Sequence, residues 1–244
     1  MFERSPTAEL NNCEIARLTG IPRTTVRDWV RLPRDRWQRT VGSACPECGQ
    51  PAYAFEELPA GDCAYLLGIY LGDGTISRGR RGVWKLRIKM DIRYPSIIEE
   101  CAAAVRAVMP RNRVSIYEHV GGSNAVEICS HSKSWPCLFP QHGAGRKHER
   151  RIALVPWQEA IVELEPGKLL RGLIHSDGCR ILNRVNGTDY PRYFFSQVSM
   201  DIQELFRRTC GKLGIECANN RWNSISVARR HSVAKLDAIV GSKS

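Results

Sequence analysis

Two aspartates in this 244-residue chain stand at equivalent places in a repeated phrase, and each is followed directly by a glycine, Gly74 or Gly178, that reads as a helix terminator. The first copy reads Leu66-Leu67-Gly68-Ile69-Tyr70-Leu71-Gly72-Asp73-Gly74, and the second reads Leu170-Arg171-Gly172-Leu173-Ile174-His175-Ser176-Asp177-Gly178. Both spell L-x-G-x-x-x-x-D-G. On a helix, Gly68 and Gly72 lie one turn apart on one face, as do Gly172 and Ser176. With no side chains between them, two such helices can approach until their backbones nearly touch. Asp73 and Asp177 then fall in the last helical turn, where the negative end of the macrodipole disfavours an anion by roughly 0.3 to 1 kcal/mol. Two carboxylates lowered to the end of one helix pair also repel each other. A divalent cation such as Mg²⁺, held by carboxylate, carbonyl and water oxygens, relieves both problems.

A second group of metal-ligating type is Cys45-Pro46-Glu47-Cys48-Gly49, a C-x-x-C knuckle that supplies half a zinc site. Zinc takes four ligands, and no second C-x-x-C or suitably spaced histidine pair follows nearby, so the ligand count favours an empty or relict knuckle over a bound zinc. The remaining cysteines sit mostly within apolar stretches, as Cys101 does, and read as reduced, buried thiols.

The elements that must position the aspartates are legible on either side. Val83 to Met90 alternates, placing Trp84, Leu86, Ile88 and Met90 on one face of a strand and Lys85, Arg87 and Lys89 on the other. A helix is expected from Pro95 to about Val108, then strands at Val114 to His119 and Ala125 to Ser130, then a short helix from Ser132 to Phe139. The order recurs after the second motif, with a strand near Tyr193 to Val198 and a helix from Ser199 to Leu213. Strands at Glu216 to Arg221 and Ser224 to Ala228 follow, with a last helix from His231 to Val240. Each half is therefore α-β-β-α-β-β-α, one strand per half being inferred, and the whole is a pseudo-two-fold duplicated α/β core.

Ahead of this core, residues 8 to 31 read as two short helices around Gly20. Asn11 or Asn12 caps the first, which carries Ile15, Ala16 and Leu18, and Pro22 opens a second with Val26 and Trp29 inward. This arrangement is similar to a helix-turn-helix, whose recognition positions are Arg23, Thr24, Arg27 and Asp28. The expected organisation is residues 1–40 as helix-turn-helix, 41–63 as linker with the knuckle, 64–155 as the first half and 156–244 as the second.

Composition points to the partner. Lys plus Arg number 36 against 25 Asp plus Glu, a net charge of +11, and the hydrophobic fraction of 43% is ordinary for a globular chain. Such an excess favours a polyanion, double-stranded DNA first. No apolar run approaches the roughly 20 residues of a membrane span and no signal-peptide core follows Met1, so a cytoplasmic, nucleoid-associated protein is expected, with no membrane contact.

The two phrases resemble the motif of LAGLIDADG homing endonucleases in their single-chain, two-motif form, over roughly residues 64 to 243. The resemblance implies a monomer in which the motif helices form the interface between halves and antiparallel saddle sheets straddle DNA. It also implies that Asp73 and Asp177 bind the Mg²⁺ ions that hydrolyse the phosphodiester, one carboxylate for each strand. Basic or polar residues beside the metals match Lys89 and Gln197 on the first strand of each half, with Lys147 and Lys243 in the closing loops. Arg171 and His175 depart from the family's mostly apolar or small residues and are expected to alter helix packing or metal binding. No splicing cysteine or His-Asn pair flanks the core, so a free-standing protein is expected. Two functions stay open: Mg²⁺-dependent DNA endonuclease, or a non-cleaving helix-turn-helix transcription regulator built on the same fold.

Overall fold

The computed structural model describes residues 11–20, 22–24, 26–27, 57–118 and 124–241. The first element is α1 (Asn12–Thr19). Asn11 Oδ1 accepts hydrogen bonds from the amides of Cys13 at 3.0 Å and Glu14 at 3.1 Å, while Glu14 accepts from the Asn11 amide at 2.8 Å. This capping box satisfies orphan donors of the first turn and selects Asn11 over Asn12 as the cap. Gly20 ends the helix at φ 70°, a left-handed conformation that costs glycine little. Leu18, expected among the apolar positions, is 72% exposed. Arg23, Thr24 and Arg27 have helical backbone and are exposed, and Val26 is buried. Asp28, Trp29 and the Cys45/Cys48 knuckle lie outside the described residues.

The core begins with α2 (Ala60–Asp73), which runs without interruption into β1 (Gly74–Arg78) and β2 (Trp84–Asp91). After α3 (Pro95–Val108), β3 (Val114–Glu118) and β4 (Ala125–Ser132) complete a four-stranded antiparallel sheet in the order β1-β2-β4-β3, and α4 (Trp135–Leu138) follows. Next, α5 (Pro156–Leu164) leads into α6 (Pro166–Asp177), which runs into β5 (Gly178–Val185) and β6 (Thr188–Ser196). Then α7 (Met200–Lys212), β7 (Ala218–Arg221), β8 (Ser224–Val227) and α8 (Arg230–Val240) give a second antiparallel sheet in the order β5-β6-β8-β7. The two sheets share one topology, which is the duplication the repeated phrase announces.

Three expectations are corrected. The strands read as first in each half are second: β1 and β5, the inferred ones, come directly off the motif helices. The strand placed at Tyr193 to Val198 begins earlier, at Thr188, because β5 and β6 form a hairpin closed by Asn186 and Gly187 at φ 50° and 77°. Asn-Gly with both φ positive is the pair that a tight, right-twisted hairpin prefers, and that dipeptide was the missed signal. Finally, α5 was not foreseen, since Ala153 to Glu165 carries a short apolar pattern beside Pro156 and Pro166.

The core is built around α2, whose residues from Cys63 to Leu71 are all buried. A helix apolar on every side belongs in the middle of a fold rather than at its surface. Its partner is α6, with Leu169, Leu170, Leu173 and Ile174 at 1% exposure or less. The inner faces of the sheets complete the core through Leu86, Ile88 and Ile128 in one half and Tyr193, Phe195, Ile225 and Val227 in the other. The alternation read in β2 holds: Leu86, Ile88 and Met90 are buried and Lys89 is exposed.

Candidate functional site

The motif helices meet at their small residues. A Cβ placed on Gly68 would stand 2.6 Å from the Leu169 carbonyl oxygen, 2.7 Å from the Leu173 nitrogen and 2.9 Å from the Gly172 carbonyl carbon. All three are backbone atoms of the opposite helix, so only glycine admits the contact. One turn further on, Ser176 lies against Gly72, its hydroxyl donating back to the carbonyls of Gly172 at 3.1 Å and Leu173 at 3.0 Å. The glycines after the aspartates differ from expectation in their reason. Gly74 and Gly178 have φ −82° and −106°, open to any residue, but a Cβ would stand 2.6 Å from Tyr70 Cα in one and 2.7 Å from Ile174 Cα in the other. Close approach as the chain turns from helix into strand, not a left-handed cap, demands them.

This packing brings Asp73 and Asp177 to one cleft of about 580 Å³, lined also by Thr75, Lys147, Ser196 and Gln197. Asp177 crosses towards the other helix, with Oδ2 at 2.8 Å from where a Gly72 Cβ would sit. Gln197 Nε2 donates to the same Asp177 Oδ2 at 2.7 Å. Gln203 Nε2 donates to the Gln197 carbonyl at 2.7 Å, and the Ser199 amide donates to Gln197 Oε1 at 3.1 Å, fixing the amide that faces the carboxylate. Lys89 lines an adjoining cavity of about 550 Å³ with Asp73 and Ser176. The sheet register makes Ser196, not Gln197, the counterpart of Lys89, because Gly74 pairs with Ile88 and Gly178 with Phe195. Lys243 lies outside the described residues.

Lys147 is the most informative of the sequence-selected residues. Its ammonium group donates to the carbonyls of Tyr70, Leu71 at 3.0 Å and Gly72 at 3.1 Å, capping the C-terminus of α2, and lies 4.8 Å from the Tyr70 ring centre. A cation on the last carbonyls of a helix is the compensation that the macrodipole calls for. Burial pushes its pKa down to about 8, overriding the upward pull of Asp177 and Asp73. The supporting loop is held by Arg150, which donates to the carbonyls of Gln141 at 3.1 and 3.2 Å and Gly145 at 2.9 Å.

The two polar departures in the second motif have structural partners. Arg171 forms a two-pronged pair with Glu100 of α3 at 2.7 and 2.8 Å and caps α8 at the carbonyls of Ile239, at 2.9 Å, and Val240. His175 is 4% exposed, with Nε2 at 3.2 Å from the Val240 carbonyl and Nδ1 at 3.0 Å from the Tyr65 hydroxyl. A carbonyl only accepts, so Nε2 donates to Val240, while Nδ1 pairs with the Tyr65 hydroxyl and lies 3.8 Å from the Glu100 carboxylate. His175 is thereby committed to packing between halves, and among the described residues no group of three or more His, Cys, Asp or Glu side chains is placed to hold a metal ion. Sequence reasoning missed the partners of this network, Glu100 and Tyr65, because nothing in their spacing marks them.

No protein-family model and no curated protein matches the chain. Solved structures do, homing endonucleases and LAGLIDADG domains among them. The chain is similar to mesophilic variants of the homing endonuclease I-DmoI, at 14% identity and TM-score 0.48 over 75% of this chain and 97% of that one. It is similar to the homing endonuclease I-WcaI bound to its DNA recognition sequence, at 13% identity and TM-score 0.49 over 75% and 81%. It is also similar to the N-terminal LAGLIDADG domain of DUF199/WhiA, at 12% identity and TM-score 0.45 over 77% and 88%. Duplicated antiparallel sheets on two motif helices are the architecture expected from the repeated phrase.

Proposed function

We propose that the chain binds double-stranded DNA across its two sheets and hydrolyses it at the Asp73/Asp177 cleft. The observation that carries this reading is the convergence of two carboxylates, each at a motif-helix end, in one cleft with Lys147 and Gln197. The residues fit a hard divalent cation of the Mg²⁺ type, which is content with one or two carboxylates and several waters. Glycine at position 72 lets Ser176 and Asp177 press against the α2 backbone, with Asp177 Oδ2 2.8 Å from where a Cβ would sit, and so draws the second carboxylate towards the end of the first motif helix. When bound, such a cation would activate water and neutralise charge on the phosphodiester. The chain's own residues orient and balance: Gln197 holds one Asp177 oxygen, Lys147 offsets the negative helix end, and exposed basic groups away from the groove meet phosphates. On this reading the basic face of β2 enters a groove, and the segment with Arg23, Thr24 and Arg27 adds a helix-turn-helix contact. Protein and DNA would meet as one monomer per site.

A specific observation favours a second reading, a non-cleaving transcription regulator. The Lys147 ammonium already supplies positive charge to the α2 carbonyls beside both aspartates, so the carboxylates could persist as structure with no metal. Incubating the protein with a random duplex library, with and without Mg²⁺, separates the two by scoring bound and cut molecules independently. Asp73→Asn and Asp177→Asn should each abolish cutting while leaving binding nearly intact. Binding with no cutting in any divalent metal establishes the regulator instead. A zinc ion at Cys45 and Cys48 remains a separate proposal, checked by metal analysis of the purified protein.

A further inference from the structure

The outward faces of the two sheets are chemically unlike. Strand register assigns them: in the first sheet Thr75 and Ser77 stand opposite Arg87 and Lys85, and Lys85 stands opposite His131. Lys89 completes the row, and among the described residues this face carries no branched aliphatic side chain. In the second sheet Cys179 stands opposite Phe194, Ile181 opposite Arg192, and Val185 opposite Thr188, with Tyr190 two residues before Arg192 on the same face. Ile181, Val185 and Tyr190 are 40%, 46% and 48% exposed. Apolar side chains therefore recur along the outward face of β5 and β6, interrupted by Asn183 opposite Tyr190, by Thr188 and by Arg192, whose guanidinium lies 5.7 Å from the Phe194 ring centre.

This row is not an ordinary protein-docking patch, because it opens from the candidate site. Thr75 and Ser196 both line the Asp73/Asp177 cleft and both belong to the outward faces, so each face leads away from the carboxylates on its own side. Whatever polymer occupies the cleft lies along both. Outward residues on a strand recur about every 6.8 Å, near two base steps, so Ile181 and Val185 reach edges about four steps apart. In the major groove an apolar side chain is matched by the C5-methyl of thymine, while arginine and lysine are matched by O6 and N7 of guanine.

We propose that the second half reads thymine methyl groups through Ile181, Val185 and Phe194, while the first half reads guanine edges through Arg87 and Lys89. The recognition site is then asymmetric in composition, T-rich on one flank and G-rich on the other. This rests on the DNA-binding reading above. The test is selection of bound duplexes from a random library with the full chain, followed by replacement of thymine by deoxyuridine in one flank at a time. Deoxyuridine removes only the methyl, so binding should weaken about fourfold for each buried methyl on the T-rich flank and stay unchanged on the other. Ile181→Asn, at an exposed position, should erase the effect at its base pair and identify the flank that the second half covers. Val185→Ser, which removes both γ-methyl groups at an exposed position, should do so at the other end. Specific binding that tolerates deoxyuridine equally on both flanks overturns the methyl-reading proposal and leaves the DNA-binding reading intact. A chain that selects no duplex at all overturns the DNA-binding reading itself, and the proposal with it.

Discussion

Replacing Gly68 by alanine drives one methyl group into the backbone of the facing helix. The added Cβ would stand 2.6 Å from the Leu169 oxygen and 2.7 Å from the Leu173 nitrogen, against an ordinary contact of 3.4 Å or more. The helices must therefore part by roughly 0.8 Å at their closest point. Neither clashing atom belongs to a flexible side chain, so no rotamer change absorbs the strain. A gap of 0.5–1 Å forfeits about a quarter to a half of the dispersion energy between the layers it separates. The layers here include Leu66, Ile69, Leu169, Leu170 and Leu173, each at 0% exposure. Alanine returns up to about 1 kcal/mol of helix propensity, so the net expectation is a loss of roughly 2–4 kcal/mol. Gly61→Ala on the same helix is the control: its Cβ would meet Lys168 side-chain carbons at 3.7 and 3.8 Å, and stability should stay level or rise by up to about 1 kcal/mol. Urea unfolding followed by circular dichroism measures both. Gly68→Ala at or above wild-type stability would refute the close helix contact.

The remaining predictions use the same assay. Arg171→Met strips the partner from half-buried Glu100 and the cap from α8, and should cost roughly 2 kcal/mol; a loss below about 0.5 kcal/mol contradicts the bridge between halves. His175→Phe removes both ring hydrogen bonds and strands the buried Tyr65 hydroxyl, for an expected loss of about 1–3 kcal/mol, whereas unchanged stability means that the network is idle. Asp237 accepts from Arg180 at 2.8 Å and from Tyr193 at 2.7 Å, and Arg180 chiefly holds its carboxyl below the usual aspartate range. A carboxyl depressed in the folded state binds fewer protons there than in the unfolded chain, so its contribution is complete above the ordinary aspartate pKa and is lost as pH falls through the folded value. Arg180→Ala should flatten stability against pH below about pH 4, and an unaltered acid limb rules the pair out as its source.

What the sequence decided, it decided locally. Alternation in Trp84 to Met90 laid out β2, because one face of that strand is wetted and the other buried. Asn11 with Glu14 fixed the start of α1 through side-chain donors and acceptors three residues apart. The repeated small-residue spacing settled that two helices pack backbone to backbone, since glycine leaves room that the facing backbone or the small Ser176 side chain enters, and the duplication of the fold followed. Even the need for a positive charge beside Asp73 and Asp177 was legible, from the direction of the helix dipole.

What filled that need was decided in three dimensions. Lys147 reaches the α2 carbonyls from 75 to 77 residues away, and no spacing rule connects a loop lysine to a helix end so distant in the chain. Arg171 and His175 looked like disturbances within a motif because their partners, Glu100, Tyr65 and the end of α8, arrive from three other elements. Gly74 and Gly178 read as helix stops, but their φ angles are ordinary and the constraint is the backbone one turn earlier. The unequal outward faces likewise exist only once strand register sets Ile181 beside Arg192 and Lys85 beside His131. Local periodicity specifies which side of an element is buried; which distant group meets it is fixed only by the packing of the whole chain.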